Sequence, residues 1–236
     1  MSEFKTGLKD SVPIALGYLS VSFSFGILAL KDGLTVFQAV LTSFTNVTSA
    51  GQFAGLGIMA AGGTILEMCL TQFIINLRYA LMSLSLSQKL SKEVSFWQRL
   101  VIAFANTDEV FAVAMMHNKE LTIKYMLGLQ IPPVLGWTAG TALGAVACNL
   151  LPVSLTSALG IALYGMFIAI VIPQAKKSRP VMLVVIIALI LSCIIYYVPV
   201  FSKISSGIAI IICTVAASAA GALLFPVKEK EKVEEE

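Results

Sequence analysis

Charge is what this chain has least of: Asp, Glu, Lys and Arg together supply 12% of its 236 residues. Soluble domains carry about 25% of these residues, so a soluble globule is excluded first. Histidine is almost absent. The single one, His117, lies beside Asn118, Lys119 and Glu120 and reads as a solvated loop residue rather than a proton relay. Cysteine is sparse, and Cys69, Cys148, Cys193 and Cys213 all fall in apolar stretches without metal-ligand spacing, which makes them lipid-facing or packing positions. No GxxxxGK(S/T) loop is present, so direct coupling to ATP would need another chain. No cofactor or metal is expected, and the net charge of +3 reflects loop lysines rather than a nucleic-acid surface.

What is there is apolar: 58% of residues are hydrophobic and the mean hydropathy is +0.90. The apolar residues come in blocks near the ~20 needed to cross a hydrocarbon core, whereas a barrel would show alternating strands of about ten. Uninterrupted blocks cover residues 12–30, 65–86, 126–148, 155–173, 181–198 and 204–225. The first follows a polar start and runs into Lys31 and Asp32 without a small-residue cleavage pattern, so it reads as a retained helix rather than a signal peptide. The expectation is an all-α polytopic membrane protein, a helical bundle of about six to eight membrane segments. Residues 1–226 would form one transmembrane domain and residues 227–236 a charged cytoplasmic tail.

Two further apolar stretches are interrupted. Residues 35–61 break around Asn46, Ser49, Gly51 and Gln52, and residues 100–116 break at Asn106, Thr107, Asp108 and Glu109. Each is a kinked crossing or a re-entrant hairpin. Lys and Arg collect on the cytoplasmic side. Two re-entrant hairpins put Lys89, Lys92, Arg99, Lys119, Lys124, Lys176, Lys177 and Arg179 there together with both termini, and leave only Lys31 and Lys203 outside. Two kinked crossings would move the Lys89, Lys92 and Arg99 loop to the outer face, so charge favours the hairpins. Phe44-Thr45-Asn46 also resembles Phe104-Ala105-Asn106, and Gln72 and Tyr79 recur as Gln130 and Trp137 at matching separation. A degenerate repeat, inverted on the re-entrant topology, accounts for this, with chance likeness between apolar helices as the alternative.

Arg78, Glu67, Asp108 and Glu109 are ionisable residues within apolar stretches. Each costs about 2.5 to 3.5 kcal/mol to insert, so it needs a partner or a task. For Arg78 and a carboxylate the structural reading is an ion pair; for Glu67 it is an interfacial position. Broken helices also leave backbone N–H and C=O groups open at membrane depth, where they bind polar solutes. The half-helix starting near Ser49 would suit a carboxylate. Asn46, Gln52, Asn76, Asn106 and Thr107 offer neutral polar side chains, Gly51 permits close approach, and Asp108 and Glu109 would meet an ammonium group or carry a proton. Phe44, Phe53 and Phe111 are candidates for an apolar lining. Asp108 and Glu109 are adjacent, and helical neighbours point about 100° apart, which argues against a catalytic pair. Gly136, Gly140 and Gly144 form a packing seam on one helix face, internal or with a second subunit.

Four ordered motifs, Pro13-Ile14 with Gly17, Ser49-Ala50-Gly51-Gln52-Phe53, Asn76-Leu77-Arg78, and Thr107-Asp108-Glu109 with Phe111, resemble the AzlC-type azaleucine-resistance permeases, the large subunit of branched-chain amino acid exporters. The resemblance covers most of the chain and is densest in its first half. It implies export of leucine, isoleucine, valine or related small apolar amino acids across the cytoplasmic membrane. It further implies a proton or ion gradient as driving force and a small AzlD-type membrane subunit as partner. The chain departs from the family at Tyr79, where a histidine commonly follows Asn-Leu-Arg, and an even number of crossings departs from the seven spans usually described. A membrane scaffold and an ABC-type permease subunit are the alternative readings.

Overall fold

A computed structural model describes residues 2–148, 150, 168, 171–173, 175–201 and 204–226. Among them the chain is helical, with no strand beyond an isolated parallel bridge between Leu90 and Leu121. It divides into two compact units, residues 1–166 and 167–236. The first contains α1 (Glu3–Lys31), α2 (Val36–Thr45), α3 (Ser49–Ala60), α4 (Ile65–Lys89), α5 (Phe96–Phe104), α6 (Asp108–Met116) and α7 (Ile123–Cys148). The second contains α8 (Arg179–Tyr197) and α9 (Ser206–Leu224), joined through a 3-10 turn at Pro199–Phe201 and packed where Gly221 meets Val184. Helices α1, α4, α7, α8 and α9 are long and apolar enough to cross a membrane. The apolar block at 155–173 and the tail at 227–236 fall largely or wholly outside the described residues.

The frame of the first unit is the pair α1 and α7. Gly7 lies against Tyr125 and Leu129, Gly136 against Ala15, Gly140 against Leu19, and Gly144 against Phe23, so the two helices run parallel in one register. A Cβ at Gly136 would come within 2.6 Å of the Ala15 carbonyl oxygen, and one at Gly140 or Gly144 would overlap the backbone of α1 outright. The glycine seam is therefore used inside the chain. At its lower end the polar start of α1 is held to α7: the Thr122 hydroxyl donates to Glu3 at 2.5 Å and the Tyr125 hydroxyl to Asp10 at 3.0 Å. These bonds carry α1 back to Glu3, well before the apolar block at residue 12. For description, the face where α1 and α7 begin is the near face and the opposite one the far face.

Helices α2 and α3 form a hairpin that enters from the far face. Gly33, with φ of 93°, ends α1, and its neighbour Leu34 donates to Ala29, closing the helix with a glycine stop. A capping box, Thr35 with Gln38, then starts α2. The helix descends until Ser43 meets Thr141 of α7. After the break, α3 returns. Phe53 packs edge-on against Phe25, and Leu56 joins Phe25, Ala29 and Ala39 in a buried cluster near the far face. Gly62, with φ of 68°, ends α3, and Thr64 caps α4, whose first turn holds the buried Glu67. Helix α4 then crosses to the near face.

Helices α5 and α6 form the second hairpin, entering from the near face. Ser95 and Gln98 make a capping box for α5, 60 residues after the one on α2. The Ile102 carbonyl accepts from Gln130 as α5 rises, Asp108 and Glu109 stand at the upper end of α6, and α6 then descends to His117, which stacks on Tyr125. Val110, Ala114, Tyr125 and Leu129 belong to a second buried cluster. The Lys89 ammonium donates to the carbonyls of Ala114, Met115 and His117, tying the end of α4 to the end of α6. Thr64 and Thr122, 58 residues apart, each accept an N–H three residues on at the starts of α4 and α7. One hairpin-plus-helix unit is thus repeated with its direction through the membrane reversed.

Two outcomes follow for the purified protein in detergent. Gly144→Val should lower stability by about 1 to 3 kcal/mol through overpacking, seen as a lowered Tm. Gly17→Val, where nothing lies within 4 Å, should stay within about 0.5 kcal/mol; equal effects would contradict the seam. In a background lacking the native cysteines, single cysteines at Asp32 and Ala61 should react with an impermeant maleimide from one side of the membrane and those at Lys92 and Asn118 from the other. Labelling of Asp32 and Ala61 from opposite sides would contradict the re-entrant α2–α3 hairpin.

Candidate functional site

The two helix breaks lie at mid-depth of the first unit, one reached from each face. Asn46 ends α2, and its carbonyl accepts the Thr48 N–H at 2.9 Å across the break. Ser49 begins α3. In the second break Ala105, Asn106 and Thr107 are buried, and the Thr107 hydroxyl caps α6 by accepting from Val110. Both breaks are narrower than the polar residues suggest. Ser49, Gly51 and Gln52, like Asp108 and Glu109, belong to the first turn of a helix, where polar side chains are favoured.

The two helix starts differ in charge. Helix α6 carries Asp108 and Glu109 in its first turn, offsetting the partial positive charge there, whereas α3 has no acidic residue and no side-chain cap. The N–H groups of Ser49, Ala50 and Gly51 have no acceptor among the described residues, and the buried Ser49 hydroxyl has no partner. That end of α3 is an open helix terminus that carries the partial positive charge of its N–H groups.

Around it runs a chain of hydrogen bonds oriented in one direction. Arg78 Nη2 donates to the Tyr79 hydroxyl at 3.3 Å, which donates to Thr48 Oγ1 at 3.2 Å. Thr48 donates to Asn76 Oδ1 at 3.1 Å, Asn76 to Gln72 Oε1 at 3.1 Å, and Gln72 to the Gly51 carbonyl at 2.7 Å. Residues of α4 thus track the start of α3. At the head of the chain, Arg78 Nη1 pairs with Asp108 Oδ2 at 2.6 Å, and each side chain keeps 45% of its surface uncovered. The guanidinium also lies 5.0 Å from the Tyr79 ring centre.

Asp108 and Glu109 point to different helices, as neighbours on one helix must. Asp108 faces Arg78 on α4, and Glu109 accepts from the Tyr18 hydroxyl of α1 at 2.5 Å. Glu109 has no cationic partner among the described residues. The Tyr18 ring packs edge-on against Trp137 at 5.3 Å, Trp137 donates to Gln52 Oε1 at 2.9 Å, and Gln52 donates to Ser43, which bonds Thr141. Gln52, 2% exposed, is therefore spent on holding α3 against α2 and α7.

Of the residues singled out from sequence, Gly51, Asn76, Arg78 and Asp108 are brought together through Thr48 and Tyr79. Glu109 joins the neighbouring Tyr18 and Trp137. Asn106 stands apart on Ser83 at 3.1 Å, with its own Oδ1 buried and unpartnered. The phenylalanines do not share a pocket: Phe44 is exposed, Phe53 packs near the far face and Phe111 against the near-face cluster. Tyr18, Thr48 and Trp137 were missed by sequence reading. A tyrosine hydroxyl and an indole N–H in apolar spans are the only local signal, since both need partners when buried. No three His, Cys, Asp or Glu side chains among the described residues converge as metal ligands.

Comparison with known proteins agrees with this geometry in extent. The family model described as AzlC protein matches residues 13–151, which span both hairpins and α7. An uncharacterized membrane protein of Archaeoglobus fulgidus is 32% identical over 175 residues, covering 73% of this chain and 76% of that protein. The inner membrane protein YgaZ of Escherichia coli is 28% identical over 184 residues, 75% of each chain. The branched-chain amino acid transport protein AzlC of Bacillus subtilis is 20% identical over 179 residues, 75% of this chain and 69% of that one. No solved structure matches the chain. With more than half of its length matched, and with the matched segment carrying both inverted hairpins, this chain belongs to the AzlC family.

Proposed function

We propose that the protein is a secondary transporter that exports branched-chain or related small apolar amino acids across the cytoplasmic membrane, coupled to protons, with both termini cytoplasmic. The observation that carries this reading is the meeting of two oppositely inserted helix breaks beside three ionisable residues at membrane depth. A zwitterion needs a site for each charge. The open start of α3 at Ser49, Ala50 and Gly51 suits the carboxylate, with Arg78 as a second anion-binding group. Glu109, bonded by Tyr18, suits the ammonium or the coupled proton, and Asp108 can join it when Arg78 is drawn to the substrate. Asn46, Gln52, Asn76, Asn106 and Thr107 keep the breaks in shape around that position.

The family relation supports the substrate class, because the Bacillus subtilis relative is named for branched-chain amino acid transport. A membrane partner of the small AzlD type belongs to the same reading, as the resemblance to the family implies. The scaffold alternative loses its main feature, since the glycine seam is occupied by α1.

Protein reconstituted with its small subunit should catalyse valine counterflow in liposomes, faster under an imposed pH gradient. Glu109→Gln with Asp108→Asn should reduce that flux by about tenfold or more, the effect of losing a charge-assisted hydrogen bond to the substrate or the proton carrier. Unchanged flux in the double variant would remove both carboxylates from the mechanism. Tyr79→Phe, which cuts the chain between Arg78 and Thr48, should raise the KM for valine with little change in Tm; a loss of Tm without a KM effect would make the chain purely structural.

A further inference from the structure

A second polar cluster lies outside the mid-depth site, at the near face between the start of α1 and the end of α6. An open surface cavity of about 460 Å³ lies there. Lys9 and Asp10, consecutive on α1, both line it, and His117 lines it from the end of α6. Their bonding capacity is largely unspent. Asp10 uses one oxygen, Oδ2, to accept from Tyr125 at 3.0 Å, while its other oxygen, the Lys9 ammonium and the His117 ring nitrogens have no hydrogen-bond partner among the described residues. The cluster is nonetheless held in place. The Tyr125 hydroxyl fixes Asp10, His117 stacks on the Tyr125 ring at 4.1 Å, and the His117 carbonyl is bound by Lys89. The remaining wall includes Pro13, Val113 and Met116, which are apolar.

One carboxylate, one ammonium and an apolar wall in a single cavity are complementary to one kind of small molecule, an apolar amino acid as its zwitterion. We propose that this cavity is a loading site for that zwitterion. Asp10 receives the substrate ammonium, Lys9 and His117 receive its carboxylate, and Pro13, Val113 and Met116 contact its side chain. Helix α6 links the two sites: Glu109 opens its first turn at mid-depth, and Val113 and Met116 lie on the same helix toward the cavity. The assignment rests on the transport reading for its purpose, but binding can be measured without transport.

The test uses the full-length protein with its small subunit in liposomes, in a background lacking the native cysteines, with Asn118→Cys at the cavity rim as reporter. Valine should slow impermeant maleimide labelling at this position, and valine amide and isovalerate, each lacking one charge, should not. Asp10→Asn or Lys9→Gln should raise the protecting valine concentration about tenfold, the effect of one charge-assisted hydrogen bond. Glu109→Gln should leave protection intact. Loss of protection in Glu109→Gln but not in Asp10→Asn and Lys9→Gln would mean that the reporter senses the mid-depth site, and would overturn the proposal. Absence of protection in the unsubstituted cavity would overturn it equally. Protection without any valine counterflow would instead sink the transport reading and leave the binding site standing.

Discussion

Backbone amides and carbonyls left open in a hydrocarbon layer cost several kcal/mol each, and both helix breaks in this chain lie where that rule applies. The protein meets it with side chains from the continuous helices. Gln130 of α7 donates to the Ile102 carbonyl in the last turn of α5, and Gln72 of α4 ties α4 to the first turn of α3 through the Gly51 carbonyl. These two glutamines occupy matching places in the repeat, yet one supports the returning half of its hairpin and the other the entering half. The inverted units share an architecture and have diverged in how it is held. What stays unpaired among the described residues is then informative: the start of α3 with the Ser49 hydroxyl in the first break, and Asn106 Oδ1 in the second.

That open terminus is positioned against the closely packed pair α1 and α7. Glycine at 136, 140 and 144 lets their backbones touch, so the two helices pack as one post. Each hairpin leans on it. Ser43 and Gln52 bind Thr141 and Trp137 on one side, and Glu109 binds Tyr18 on the other. The charges are divided in the same way, with a bare helix start on the first hairpin and two carboxylates on the second. A zwitterion lying between them would see opposite fields at its two ends, which orients it without any need for a large pocket.

Much of this was legible before the structure. The breaks were marked by polar residues within apolar stretches, and lysine placement favoured hairpins over crossings, in line with the far-face ends shared by α2 and α3 and the near-face ends shared by α5 and α6. The edges were less legible. Ser49, Asp108 and Glu109 looked like loop because the first turn of a helix is itself polar. The extension of α1 back to Glu3 depends on Thr122 and Tyr125, about 120 residues away, and no local pattern encodes such contacts. Tyr18 and Trp137 were hidden for a different reason: an aromatic residue in an apolar run is ordinarily packing, and only the partner across the bundle gives its hydroxyl or N–H a role.

Trp137 also offers the most direct reading of the central claim, because it stands between Tyr18, which binds Glu109, and Gln52 in the first hairpin. The only other tryptophan, Trp97, is exposed on α5 and can be replaced by phenylalanine. In Trp97→Phe protein, with Asp10→Asn included to silence the near-face cavity, valine should change Trp137 fluorescence saturably, and Glu109→Gln should abolish the change. A fluorescence signal indifferent to valine in a preparation that transports it would contradict a substrate site between the two helix breaks.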